Sequence, residues 1–332
     1  MNKILTIIIP TYNMEKYLRR CLDSLIIDEE GMKQLEVLVI NDGSKDSSSQ
    51  IAHEYQDKYP DTYRVIDKEN GNYGSCINRG LKEATGKYVK VLDADDWYDS
   101  NEFLKLILYL IYDNTSDVDV LYTNFTYHNT YKEKNEYFKF KNIKYDYVYN
   151  SSNLNFKDEN DFFMLKMYSV CFKTELLRNI NLSLDTGISY TDNEYMYFPY
   201  RHLKKVVFLD LNIYQYFIGR EGQTINAKIT RKHLDNVLII ANRIVNDYIS
   251  ICNDIKSANI KSVLLRMTVL RCTAFFDQAL SFEKSDYNTS NIRELYRMIS
   301  FDRELKWNVM KKSRGLVLWL LTGLYKSDMK LF

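Results

Sequence analysis

The sequence predicts an α/β fold, a doubly wound parallel sheet followed by a helical extension, and three observations predict it. Short apolar runs recur at 4–9, 35–40 and 87–92, rich in Ile, Val and Leu, as strands inside a parallel sheet are. Each is followed, after a polar or turn-forming segment, by a stretch whose apolar residues fall at helical spacing. From about Thr230 the helical spacing continues nearly to the end, which divides the chain into 1–228 and a helical region, 229–332.

Taken in order, residues 4–9 are the first strand, closed by Pro10-Thr11-Tyr12-Asn13, and Glu15 to Ile27 is a helix through Tyr17, Leu18, Cys21, Leu22 and Leu25. Leu35 to Ile40 is the second strand and ends in Asn41-Asp42-Gly43-Ser44; a helix and a short strand, Tyr63 to Asp67, follow. The turn Asn70-Gly71-Asn72-Tyr73-Gly74 precedes a helix at 75–85 that stops at Gly86, a residue suited to the position after a helix. Lys87 to Leu92 is the fourth strand. Beyond it, 101–112 reads as a helix, 119–123 as a strand, and 125–150 as edge strands or a long ordered loop. Residues 173–180 and 195–202 are helical, Val206 to Leu209 and Asn212 to Phe217 are strands, and 234–249, 259–281 and 291–310 are helices.

The fourth strand delivers Asp93, Asp95 and Asp96, then Trp97, to the carboxyl edge of the sheet, where open α/β folds bind ligands. Carboxylates crowded at such a place repel one another and hold a cation. The alternative is that they cap a helix starting near Ser100. Asp42, before the Gly43 turn, brings another carboxylate to the crevice, either as acceptor for a ribose hydroxyl or base N–H or as a turn cap. The two glycines of 70–74 let backbone approach a ligand. Other nucleotide signatures are missing. No Gly-x-Gly-x-x-Gly follows the first strand, and Gly80 to Gly86-Lys87 has Tyr88 where a phosphate loop has Ser or Thr.

Lys plus Arg number 45 against 44 Asp plus Glu, which gives no support to a nucleic-acid binder. The five cysteines are an odd set without a Cys-x-x-Cys pair, so free, buried thiols in a reducing compartment are expected. The N-terminal apolar run reads as a strand, not a signal peptide. Near the other end, Lys311-Lys312-Ser313-Arg314 is basic, 315–325 nearly all apolar, and Lys326 basic again. That is too short to span a bilayer, which takes about twenty residues. It suits a helix lying on a membrane surface through 311–326, with Trp319 and Tyr325 at headgroup level, or one packed on the protein.

With these pieces in place the chain resembles the family 2 inverting glycosyltransferases of the GT-A fold. The resemblance runs over residues 4–225 and rests on five motifs in order: IIIPTYN (7–13), VINDGSKD (39–46), ENGNYGSCINRGL (69–81), ATGKYVKVLDADD (84–96) and TDNEY (191–195). It implies a Rossmann-like nucleotide-diphospho-sugar transferase fold with a helical extension. Pro10, Thr11, Tyr12 and Asp42 would line the pocket for the donor's base and ribose, with Asn78 also at the donor. Asp93 and Asp95 would hold Mn²⁺ or Mg²⁺ against the diphosphate, Arg220 would contact it, and Asp192 would be the general base. Relatives usually have Glu before that base, where this chain has Thr191. They also carry Arg where Ile77 stands, so a phosphate or base contact is expected from Lys68 or Arg79.

The activity implied is metal-dependent, inverting transfer from a nucleotide sugar, a UDP-sugar above others, to a saccharide or polyprenyl-linked saccharide. The expected setting is cell-surface polysaccharide synthesis, in the cytoplasm at the inner face of the plasma membrane. Two other readings stand beside it. A haloacid-dehalogenase-like phosphatase also uses Asp-x-Asp, but on its first strand. A non-catalytic sugar-binding or scaffold protein on the same fold is opposed by the intact Asp42, Asp93, Asp95 and Asp192.

Overall fold

The computed structural model describes residues 3–112, 117–220, 223, 233–281 and 289–322. The chain forms two compact units, Met1–Glu221 and Gly222–Phe332; the expected boundary at 228 falls outside the described residues.

In the first unit the described strands are β1 (Leu5–Thr11), β2 (Leu35–Asn41), β3 (Tyr63–Asp67), β4 (Tyr88–Val91), β5 (Trp97–Tyr98), β6 (Val120–Asn129), β7 (Lys134–Phe138), β8 (Val148–Asn150), β9 (Val170–Lys173) and β10 (Lys205–Ile218). They make one sheet in the order β3-β2-β1-β4-β9-β6-β10-β5, with β7 on β6 and β8 on β10. β1 is buried along its whole length and pairs in parallel with β2 (Ile7 opposite Val37) and β4 (Ile7 opposite Lys90). β9 then runs antiparallel to both β4 and β6, so the sheet is mixed rather than parallel throughout.

The helices of this unit are α1 (Leu18–Asp23), α2 (Glu29–Gln34), α3 (Ser48–Lys58), α4 (Asn72–Glu83), α5 (Ser100–Tyr112), α6 (Glu159–Phe163), α7 (Thr174–Asn179) and α8 (Asp192–Tyr200). The single helix expected over 15–27 is only α1, because Asp28 starts a new helix, α2, by accepting from the Gly31 N–H at 2.8 Å. The two strands expected at 206–209 and 212–217 are one bulged strand, whose register on β6 slips between Phe208 and Asn212 and again before Tyr214. β6 outruns β9, and its extension pairs with β7 from Phe125 to Asn129.

A cation lies inside the sheet. Lys90 is fully buried, and its ammonium donates to the carbonyls of Tyr168 (2.6 Å) and Val170 (3.1 Å). Burial lowers its pKa to about 8.

The second unit is helical where described: α9 (Leu234–Ile251), α10 (Ala258–Ala279), α11 (Thr289–Ile299), α12 (Arg303–Lys312) and α13 (Arg314–Thr322). Its core includes Ala241, Val245, Leu264, Phe276, Leu295 and Val309. Ser257 and Asp302 cap α10 and α12. In α13, Leu316 is buried, Leu321 exposed, and Tyr325 and Lys326 lie outside the described residues. No helix among the described residues is long and apolar enough to cross a membrane. All five cysteines are buried and free.

Candidate active site

The parallel strands β1 and β2 end side by side, Thr11 opposite Asn41, and the Asp42 N–H donates to the Thr11 carbonyl at 2.8 Å. Pro10 is tolerated in a central strand because β4 has stopped pairing by then, at Ile8 opposite Val91. The Thr11 hydroxyl turns inward to the Ile9 carbonyl, whereas Tyr12 is 45% exposed and lines a cleft of about 570 Å³ with Asn41, Gly43, Asp67, Lys68 and Asn70. Gly43 supplies the positive φ (73°) that turns the chain along this cleft.

Asp42 and Asp67 both have partners here. Buried Asp42 takes the Lys68 ammonium at 2.5 Å and the Gly71 N–H at 3.0 Å. Asp67 accepts from Asn41 (2.6 Å) and Ser49 (2.8 Å) and pairs with His53 (2.8 Å). Burial alone would raise the Asp67 pKa, but these bonds outweigh it and hold the carboxyl below its ordinary value.

The end of β4 differs. Asp99, not the acidic triplet, caps α5, accepting from the N–H groups of Asn101 and Glu102, so the capping alternative fails. Asp96 is structural: it accepts from Tyr214 at 2.6 Å and the Phe217 N–H at 2.7 Å, tying β10 to the strand end. Asp93 accepts from the Tyr73 hydroxyl at 2.8 Å, and Asp95 pairs with Arg220 Nε at 2.7 Å. Burial pushes the Asp93 carboxyl up to about 7; Asp95 and then Asp192 push the same way, against the Tyr73 bond and Arg220.

Asp192 opens α8, with Thr191 in the cap position and making no side-chain cap bond. The buried Thr191 hydroxyl has no hydrogen-bond partner. Just before it, Tyr190 holds a φ of 70°, strained for a bulky residue. Asn193 secures that turn by donating from backbone (3.2 Å) and side chain (2.8 Å) to the Tyr190 carbonyl. α4 comes close to this segment because of Gly74: a Cβ there would lie 2.1 Å from the Asp185 carbonyl. That approach sets Tyr73 and Asp93 within the field of Asp192.

The structure thus brings Asp93, Asp95, Asp192 and Arg220 together, and Tyr12 and Asp42 to the neighbouring cleft region. Asn78 departs from expectation. Both ends of its amide clamp Leu184, donating to its carbonyl and accepting from its N–H at 2.8 Å, so its role is to hold the segment before α8. Arg79 pairs with Glu83 on the face of α4, while Lys68 reaches the cleft. Sequence reasoning missed Tyr73 as a partner of Asp93, since 70–74 read as a loop, whereas α4 already starts at Asn72. It also missed Tyr214, whose hydroxyl contacts both Asp96 and the Asp93 N–H.

Comparison with known proteins places the chain in a family and a fold. The chain is 28% identical over 226 residues, 65% of its length, to the glycosyltransferase GlyA of Streptococcus pneumoniae. It is 34% identical over 116 residues, 35% of its length, to the minor teichoic acid biosynthesis protein GgaB of Bacillus subtilis. The matches cover 31% of GlyA and 13% of GgaB, so the chain spans a third or less of these relatives. Its fold is that of S. aureus TarS 1–349, solved in complex with UDP-GlcNAc, with a TM-score of 0.64 at 16% identity over 97% of this chain and 93% of that one. The fold is therefore the α/β glycosyltransferase fold with C-terminal helices. The model of Glycosyl transferase family 2 matches residues 6–176, more than half of the sequence, and the chain belongs to that family.

Proposed function

We propose that this chain is a metal-dependent, inverting glycosyltransferase that moves a sugar from a UDP-sugar to a saccharide or lipid-linked saccharide acceptor in cell-surface polysaccharide assembly. The observation that carries the reading is the convergence of Asp93, Asp95 and Asp192 on one crevice, with the Asp93 carboxyl raised to about 7 by its surroundings. The UDP-GlcNAc complex of TarS and the teichoic acid role in the name of GgaB support the donor and the setting.

The residues fit a divalent cation. Among the described residues no group of three or more His, Cys, Asp or Glu is placed to hold a metal ion by itself. Mg²⁺ is commonly held by one or two carboxylates, with substrate phosphates and waters completing its shell. Asp93 and Asp95 would be those carboxylates, and burial of the Asp93 carboxyl, which disfavours its charged form, would be relieved by a bound cation. When bound, Mn²⁺ or Mg²⁺ would neutralise charge on the departing diphosphate. Arg220, now on Asp95, can turn to a phosphate oxygen, and Tyr73 orients Asp93. The cleft beside Tyr12 and Lys68 would take the nucleoside, with Asp42 fixing Lys68 from below.

Asp192 would accept the proton of an acceptor hydroxyl as its oxygen bonds to the anomeric carbon. The bond from that carbon to the diphosphate breaks, UDP leaves, and the anomeric configuration inverts. A thermal-shift panel of nucleotide sugars with and without Mn²⁺ tests the donor, because specific binding raises the melting temperature by mass action. No shift with any UDP-sugar, and no hydrolysis of one, would leave the non-catalytic reading standing.

A further inference from the structure

From the carboxylates outward, aromatic rings follow one another across the first unit. Tyr168 and Tyr216 pack 5.0 Å apart; the charge of Asp192 reaches the first phenol and those of Asp96, Asp93 and Asp95 the second. Tyr127 lies 5.0 Å from Tyr216, Phe138 4.8 Å from Tyr127, and Phe163 5.5 Å from Phe138. Rings that merely fill the core here, such as Phe125 and Tyr122, are shut off from solvent. Tyr168, Tyr216, Tyr127 and Phe138 are only partly buried, and Phe163, at the outer end, is 38% exposed. The inner end is held rigidly, because the Lys90 ammonium grips the Tyr168 carbonyl. Lys166 places its ammonium 4.9 Å from the Phe163 ring centre, where it can also donate to a hydroxyl.

Partly buried aromatic rings offer apolar surface, and the tyrosines add hydroxyls at their edges. The C–H face of a pyranose is apolar and its rim is hydroxyl-bearing, which is the complementary pattern. The spacing of the rings is close to that of linked sugar rings.

We propose that Tyr168, Tyr216, Tyr127, Phe138 and Phe163 form an acceptor track for an oligosaccharide of linked pyranose rings, its reacting end at Asp192 and its remaining sugars running out toward Phe163. This deepens the function proposed above and rests on Asp192 being the base. The track makes recognition depend on acceptor length, which the catalytic carboxylates alone do not.

The test uses the full chain, Mn²⁺, the UDP-sugar chosen by thermal shift, and para-nitrophenyl glycosides of one, two and three pyranose units built from glucose, galactose or N-acetylglucosamine. In the wild type kcat/KM rises with each added unit for at least one series. Phe163→Ala raises KM for the trisaccharide about tenfold, keeps its kcat, and leaves the monosaccharide KM where it was. Phe163→Tyr restores the trisaccharide KM. Phe138→Ala acts one unit earlier, on the disaccharide. A wild type without length dependence, or one that hydrolyses donor and transfers to none of these glycosides, overturns the track. So does a Phe163→Ala enzyme with the wild-type length profile. A wild type that neither hydrolyses nor transfers any UDP-sugar overturns the functional reading, and the track falls with it.

Discussion

Two groups of carboxylates, one beside the ends of β2 and β3 and the other beyond β4, on the far side of β1, are treated in opposite ways. Beside β2 and β3, Asp42 is matched by Lys68 and Asp67 by Asn41, Ser49 and His53, and the Asp67 pKa is lowered. Beyond β4, Asp93, Asp95 and Asp192 face one another, and the Asp93 pKa is raised to about 7. A group whose charges are already balanced is preorganised to recognise a ligand by shape and hydrogen bonds. A carboxyl held up by burial and by neighbouring carboxylates, as Asp93 is, gains when a cation or a proton arrives. In the function proposed here, the difference separates donor binding from the chemical step.

Substituting the proposed base, Asp192, should have the largest effect. Asp192→Asn is expected to lower transfer by roughly 10²–10⁴-fold with melting temperature and donor binding near wild type, because an amide cannot take the acceptor proton. Transfer within a few-fold of wild type would reduce Asp192 to a structural residue. Wild-type product carrying the donor's own anomeric configuration would exclude single displacement.

Asp93→Asn separates the two groups most directly. A carboxyl whose folded pKa is raised is stabilising when protonated, and that stability is lost as pH climbs from about 4 to about 7. The variant removes this loss, so without added metal it should melt higher than wild type at pH 7.5 while losing Mn²⁺-stimulated turnover. Equal melting temperatures across that pH range would show that Asp93 is not under repulsion.

At the balanced end, Asp42→Ala should weaken UDP binding by about ten- to a hundredfold, or roughly 1.5–3 kcal/mol, because Lys68 loses its buried partner. Calorimetry showing an unchanged UDP dissociation constant would remove Asp42 from the donor site.

The most specific effect, on stability alone, concerns Lys90, balanced by carbonyls instead of a charge. Its folded pKa of about 8 lies below the ordinary 10.5, so the unfolded chain binds more protons between those values and stability rises with pH there. Below about pH 8 the cost of the buried charge is fully present. Denaturation of wild type and Lys90→Met should therefore diverge in favour of wild type by about 3 kcal/mol from pH 8 to 10.5. A constant difference would place the titration elsewhere.

Much of this was legible in the sequence. The apolar runs before Pro10, Asp42 and Asp93 located the parallel strands and put their last residues at one edge, since a buried strand leaves little freedom in where it ends. Asp192 was legible through its motif. What could not be read was pairing at a distance. That Tyr73 meets Asp93 depends on how closely α4 approaches the segment before α8, through Gly74. Arg220 meeting Asp95 depends on a bulge in β10 that alternation alone presents as a break between two strands. Asn78 lies on the buried side of α4, and only the fold shows that Leu184 is waiting for its amide.

The buried thiols have a practical consequence. All five cysteines are shielded, and burial pushes Cys76, Cys171 and Cys272 up to about 12, far from the thiolate form that reacts. The native chain should therefore resist maleimide, and its rate of labelling becomes a clock for global opening of each unit, with Cys76 and Cys171 reporting the first and Cys272 the second. A single cysteine introduced on the exposed surface would take a fluorophore with no need to remove the natural ones.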